Sequence, residues 1–277
     1  YAAANAPQRA TATAPFFIAI SPSDPNTIIM DFSNQNEFWL VTYNAKSRLI
    51  KSTNGGLNWH DEENNNPITA IVTGGDEHGL PNRSFTDVEF DPLNPLEVYL
   101  TVSGYYPPDV PNEGHVFKSI DGGYNWENIS GNLPDIPEND LMIHYTGSGE
   151  YDKELIIATD AGIYSTNATY IGWGEIAADF PNTPALHLDY NRLSGKLRAN
   201  TWGRGAWEFD IDNTIYVQDR LYITDNVTLT KPIVVGSGGK LILGHQDMSD
   251  PFTIYFNNSS KITVEDGGYI ECPASQQ

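Results

Sequence analysis

The residues of this chain best suited to chemistry are carboxylates and aromatics. Cleaving a glycosidic bond takes two carboxyl groups flanking one bond, and with thirty-six Asp and Glu residues candidates are abundant. Asp87 stands out because it follows Phe85-Thr86 at the entry of an expected strand, with Asp76, Glu77 and His78 a few residues upstream. The plainer reading of Asp87 is a solvated acid at a strand end. Tyr105 and Tyr106 open the segment Gly104-Tyr105-Tyr106-Pro107-Pro108-Asp109, where two prolines stiffen the chain and the aromatic faces suit stacking on sugar rings. Its plainer reading is a loop covering its own sheet. Six histidines, at 60, 78, 115, 144, 187 and 245, show no close pair at metal-ligand spacing, and Cys272 stands alone. No transition-metal site or organic cofactor is expected, and no glycine loop precedes a helix to cradle phosphate. Calcium at Asp-rich turns stays open, with no residue to place it.

What must position these groups is a repeat. Ser52-Thr53-Asn54-Gly55-Gly56-Leu57-Asn58-Trp59 returns sixty-seven positions later as Ser119-Ile120-Asp121-Gly122-Gly123-Tyr124-Asn125-Trp126. An Asp or Asn in third place accepts backbone N–H bonds across a turn, and paired glycines permit positive φ. Asp121 or Asn54 could instead serve as a metal ligand or an acid, but turn capping explains all eight positions together. The tryptophan then re-enters a strand and packs on the core. A second repeated string places Ile18-Ala19-Ile20-Ser21-Pro22 against Val88-Glu89-Phe90-Asp91-Pro92, a strand running into a Pro-rich turn in both. Each unit therefore has four strands, the size of a propeller blade.

These strings resemble the Asp-box, or bacterial neuraminidase repeat, with pattern Ser-x-Asp-x-Gly-x-x-Trp. Ser119, Asp121, Gly123 and Trp126 fit it fully; Ser52, Asn54, Gly56 and Trp59 fit with Asn for Asp. The resemblance implies hairpin turns on β-propeller blades, an architecture shared by sialidases, xyloglucan-cleaving endoglucanases and sortilin-type receptors, and it names no reaction. A sialidase needs three arginines around its substrate and a Phe/Tyr-Arg-Ile-Pro signature. That signature is absent and there are only seven arginines. The endoglucanase variant draws two catalytic aspartates from distant blades, at least one of which would lie before Tyr1.

Further along, a third unit reads through Leu141 to Tyr145, Glu154 to Thr159 and Gly162 to Ser165, its box without glycines. A fourth begins at Ala185 and ends in Thr201-Trp202-Gly203-Arg204-Gly205-Ala206-Trp207, a string similar to those that finish secreted Asp-box propellers. After Asp212 come short apolar runs with Gly-Gly corners. Gly236-Ser237-Gly238-Gly239 and Glu265-Asp266-Gly267-Gly268 repeat at twenty-nine residues. This period predicts a β-solenoid, with a small β-sandwich as the alternative. The expected organisation is all-β: residues 1–15 a tail or the end of a preceding segment, 16–212 about four blades of a larger propeller, and 213–277 the strand-rich module.

Fifteen basic against thirty-six acidic residues give a net charge of −21 without a basic patch, which excludes nucleic acid and anionic membrane as partners. No apolar run approaches a membrane span, and one cysteine forms no internal disulfide. The composition resembles that of secreted and surface β proteins, and the last module is similar to those following propellers in Bacteroidetes-type secreted proteins. The expected function is a non-catalytic extracellular or cell-surface module binding glycan or protein. Alternatives are a xyloglucanase-like glycoside hydrolase and a self-assembling filament or sheath subunit.

Overall fold

The computed structural model describes residues 17–31, 48–57, 59, 72–73, 78–81, 83–106, 113–146, 153–167, 172–176, 179–211, 214–217, 220–229, 231–244, 253–256 and 260–272. The tail 1–15, Asp76, Glu77, His60, His245 and the prolines after Tyr106 lie outside them. Every regular element among the described residues is a strand, and no helix is long and apolar enough to cross a membrane. The chain divides into two compact units, Tyr1–Leu141 and Met142–Gln277.

In the first unit β1 (Ile18–Ile20), β2 (Ile28–Asp31), β3 (Arg48–Ser52) and β4 (Val72–Thr73) form an antiparallel sheet in sequence order. The same order recurs in β5 (Phe85–Phe90), β6 (Val98–Val102), β7 (Val116–Ser119) and β8 (Glu127–Asn128). Apolar residues of both sheets share one core, with Ile29 and Leu49 from the first and Val88, Phe90, Leu100 and Phe117 from the second. β6 is Val-Tyr-Leu-Thr-Val and buried throughout, as a strand flanked on both edges and both faces must be. A bulge between Phe85 and Asp87 interrupts the β5 register. The extra residue resets the alternation, so Phe85 and Val88 both face the core.

The Pro-rich turns are capped alike. Asp91 Oδ1 accepts the N–H groups of Leu93 at 2.7 Å and Asn94 at 3.2 Å, while Ser21 Oγ accepts that of Asp24 at 3.3 Å. The box turns dock on them: Gly55 N–H donates to Asn26 O at 2.9 Å and Gly122 N–H to Leu96 O at 2.8 Å. Such local bonds satisfy turn backbone that the ladders leave open.

A third sheet has the order β9 (Glu138–Tyr145), β10 (Lys153–Thr159), β11 (Gly162–Asn167), β12 (Gly174–Glu175), and the division between units falls inside β9. In the second unit β13 (Ala185–Asn191), β14 (Lys196–Thr201) and β15 (Ala206–Asp210) form a three-stranded antiparallel sheet. Pairing then turns parallel. β16 (Ile215–Val217), β19 (Ile233–Val235) and β22 (Ile262–Val264) make one ladder; β17 (Arg220–Ile223), β20 (Lys240–Leu243) and β23 (Tyr269–Glu271) a second; β18 (Val227–Leu229) and β21 (Ile254–Phe256) a third. Consecutive strands lie in different sheets and equivalent strands stack in register, which defines a parallel β-coil rather than a sandwich. The fold is all-β: propeller-blade sheets, then a solenoid.

Candidate binding site

Both boxes close as the repeat requires. In the second sheet Ser119 Oγ accepts the Gly123 N–H at 2.8 Å and that of Asp121 at 3.3 Å, and donates its own proton to Asp121 Oδ1 at 2.8 Å. Asp121 Oδ1 also accepts the N–H groups of Tyr124 and Asn125 at 3.0 and 2.9 Å. Burial acts to raise the Asp121 carboxyl, yet the bonds from Asn125, Ser119 and Tyr124 hold it below the usual carboxylate range. In the first sheet Ser52 Oγ accepts Gly56 N–H at 2.9 Å and bonds Asn54 Oδ1 at 3.0 Å. Trp126 is buried and its indole donates to Gly123 O at 3.1 Å, whereas Trp59 is half-buried, its ring over Gly56. These groups are engaged in the turns themselves. The box of the second sheet also seals against the first: Lys51 Nζ lies 4.7 Å over the Tyr124 ring, and Gly123 faces Ile29.

Asp87 belongs to an acidic group with Glu89 on the same strand and Asp140 at the start of β9, all in the first unit. Its Oδ1 accepts Val88 N–H at 2.8 Å and its Oδ2 accepts Leu141 N–H at 3.1 Å. Burial, then the charges of Asp140 and Glu89, push the Asp87 carboxyl well above its ordinary value. Burial and Asp140 likewise push Glu89 up to about 7. Carboxyls kept neutral near pH 7 are the type that can donate a proton to a leaving group.

The densest polar cluster centres on His115, which the sequence offered only as one unpaired histidine among six. His115 has no exposed side-chain surface. Its Nε2 lies 3.1 Å from Asp135 Oδ1, and its Nδ1 lies 2.9 Å from Glu138 Oε2. The Arg83 guanidinium reaches Nδ1 through Nη2 at 2.7 Å and also donates to the carbonyls of Ser103, Gly104 and Gly114. Tyr106 stacks on the imidazole with centroids 4.6 Å apart and donates its backbone N–H to Asp135 Oδ1 at 2.9 Å. Arg83 also lies 5.4 Å from the Tyr106 ring centroid. The two tyrosines thereby part company. Tyr106 is an internal anchor, and Tyr105 beside it is 63% exposed.

Nδ1 of His115 faces one donor, the Arg83 guanidinium, and two acceptors, Glu138 Oε2 and Val102 O, the last at 3.3 Å. Burial pushes the Glu138 carboxyl up to about 7, against the opposing pull of His115 and Arg83. The only sequence signal for the cluster is that His115 occupies the repeat position of Arg48, a polar residue entering a strand. Among the described residues no group of three His, Cys, Asp or Glu is placed to hold a metal ion.

No family model matches this sequence, and no curated protein matches it. Solved structures are. A GH74 enzyme from Niastella koreensis aligns with TM-score 0.49 at 14% identity, over 71% of this chain and 28% of that one. An ancestral GH74 enzyme aligns with TM-score 0.49 at 21% identity, over 71% of this chain and 25% of that one. The β-propeller domain of Cps50 (Swd1) from Myceliophteria thermophila aligns with TM-score 0.41 at 12% identity, over 73% of this chain and 54% of that one. The chain spans about a quarter of the length of the two GH74 enzymes.

Proposed function

We propose that this chain is part of a secreted or cell-surface Asp-box propeller protein, and that it binds glycan or another protein without catalysing a reaction. The observation that carries the reading is Tyr105: an exposed aromatic next to a tyrosine clamped by Arg83, His115 and Asp135. A ring displayed on a backbone that is already ordered loses little entropy on stacking against a ligand. The acidic surface, at net charge −21, favours neutral or cationic ligands over anionic ones. The test is binding of the chain to a panel of immobilised neutral polysaccharides, with Tyr105→Ala beside it. Binding that falls at least tenfold in the variant, as loss of one stacking anchor implies, supports the reading. Equal binding by both forms removes Tyr105 from the site, and no binding to any glycan or cell-surface protein extract sinks the proposal.

A second reading is favoured by one observation: the Asp87, Glu89 and Asp140 carboxyls, of which Asp87 and Glu89 are held up by burial and mutual repulsion. They would supply the acid of a glycoside hydrolase. Release of reducing ends from xyloglucan by the chain, abolished in Asp87→Asn, would establish it.

A further inference from the structure

We propose that Trp202 is a second stacking platform for a neutral sugar ring, displayed, like Tyr105, by the loop between the second and third strands of its sheet. This role rests on the glycan-binding reading and adds a site to it. Phe85 pairs with Val102 in the sheet of β5–β8 and Ala185 with Thr201 in the sheet of β13–β15, each just before a bulge. That register makes Ser103 and Trp202 equivalent, the first residues past β6 and β14. Their backbones are held alike. Ser103 N–H donates to Ser84 O at 2.8 Å and Trp202 N–H to Pro184 O at 3.0 Å. Arg83 Nε donates to Ser103 O at 3.1 Å, and Thr183 Oγ1 to Trp202 O at 2.9 Å. A glycine at positive φ follows in both, Gly104 at 83° and Gly203 at 81°.

Because serine fills this position in one of the two sheets, the turn itself needs no aromatic. Nor does Trp202 serve the core, being 72% exposed. Packing beneath the loop falls to Trp207, whose ring meets that of Phe180 edge-on at 6.3 Å and whose indole donates to Arg204 O at 3.2 Å. Thr201 closes the turn, its N–H and its hydroxyl donating to Gly205 O at 3.0 and 2.7 Å. A large apolar ring thus stands outward on backbone fixed at both of its peptide groups, and a ligand that stacks on it loses little to ordering. The approach is clear, since a Cβ on Gly203 or Gly205 would meet nothing within 4 Å. Two residues on, Arg204 is exposed, and its guanidinium makes no hydrogen bond or ion pair to another described residue. An indole face suits the C–H groups of a sugar ring, and free guanidinium N–H groups beside it suit the hydroxyls. A net charge of −21 disfavours polyanions, which leaves neutral glycan as the ligand class.

The experiment is isothermal titration of the chain with soluble hexasaccharides of glucose, mannose and xylose, comparing the unaltered protein with Trp202→Ser, Trp202→Phe and Tyr105→Ala, each checked by thermal unfolding. Trp202→Ser installs the side chain that the equivalent turn already carries, so the fold should hold. Its affinity should fall about tenfold or more although Tyr105 is intact, while Trp202→Phe keeps a ring and should lose less than about threefold. Sugar should also shift the tryptophan fluorescence of the unaltered chain and not that of Trp202→Phe. Should Trp202→Ser lower the melting temperature, this fluorescence comparison decides. Affinity lost in Tyr105→Ala alone overturns the proposal and leaves the glycan reading standing. Absence of binding by the unaltered chain overturns both.

Discussion

His115 and Glu138 meet with neither side chain exposed to solvent, ring Nδ1 2.9 Å from carboxyl Oε2. Arg83 Nη2 lies 2.7 Å from the same ring nitrogen, and burial holds the Glu138 carboxyl up at about 7. The contacts that anchor Tyr106 therefore include a carboxyl that titrates near neutrality.

Stability should fall as pH rises through the neutral range. Burial holds the Glu138 and Glu89 carboxyls at about 7 in the folded chain, above their ordinary 4.5. The folded state then binds more protons than the unfolded one between these values. Stability is highest below about 4.5 with respect to these two groups and is lost as pH passes about 7, by up to roughly 3 kcal/mol for each. Glu138→Gln keeps the shape without the charge, so its melting temperature relative to the unaltered chain should climb from pH 5 to pH 8. A difference that does not change with pH would show that Glu138 is not linked to folding.

The two tyrosines should separate cleanly by mutation. Tyr106→Ala removes the stack on His115 and should cost about 1–3 kcal/mol in chemical denaturation, whereas Tyr105→Ala should stay within about 0.5 kcal/mol.

Each box should act as a unit. Ser119→Ala deprives the Gly123 and Asp121 N–H groups of their acceptor and should cost about 1–2 kcal/mol. Gly123→Ala should cost more than Gly56→Ala: both need positive φ, but a Cβ on Gly123 comes within 3.0 Å of Ile29, while at Gly56 the nearest atom is 3.6 Å away. The Asp121 carboxyl lies below its usual range, so its stabilisation is present above the unfolded value and lost as pH falls through the folded one. Asp121→Asn should accordingly blunt acid unfolding, read by tryptophan fluorescence below pH 4.

In the coil, Gly239→Ala and Gly268→Ala should unfold the rungs. A Cβ on Gly239 would sit 2.0 Å from Val217 O, and one on Gly268 2.6 Å from Val235 O, so each corner glycine is demanded by the strand beneath it. Gly238→Ala meets no neighbour and should cost only about 1 kcal/mol for its positive φ. Hydrogen exchange over residues 233–243 distinguishes the two classes.

Much of the architecture is legible in short strings. The Ser-x-Asp/Asn-x-Gly boxes, the Pro-rich turns at Asp24 and Asp91 and the Gly-Gly corners are each closed by bonds between residues two to six apart, so residue types at fixed spacing suffice to announce them. Parallel pairing in the coil was one of two readings of the same corners. The choice between rungs and a sandwich rests on register between Val217, Val235 and Val264, and alternation within a strand carries no such information.

The candidate site was mostly not legible. Asp87 attracts attention by type, but its carboxyl is raised by burial and by Asp140, fifty-three positions away, next to a bulge that no motif marks. The Tyr105 and Tyr106 pair reads as one aromatic platform until His115 claims the second ring. By itself the sequence determined a blade repeat, its turns and a strand-rich module with Gly-Gly corners, because local hydrogen bonds and periodic burial are properties of neighbouring residues. Only the tertiary structure decided which polar groups are sealed together at Arg83, His115, Asp135 and Glu138, and that the strands after Asp212 stack in parallel register. Burial and charge proximity are set by packing between segments distant in the chain, and they govern protonation and exposure alike.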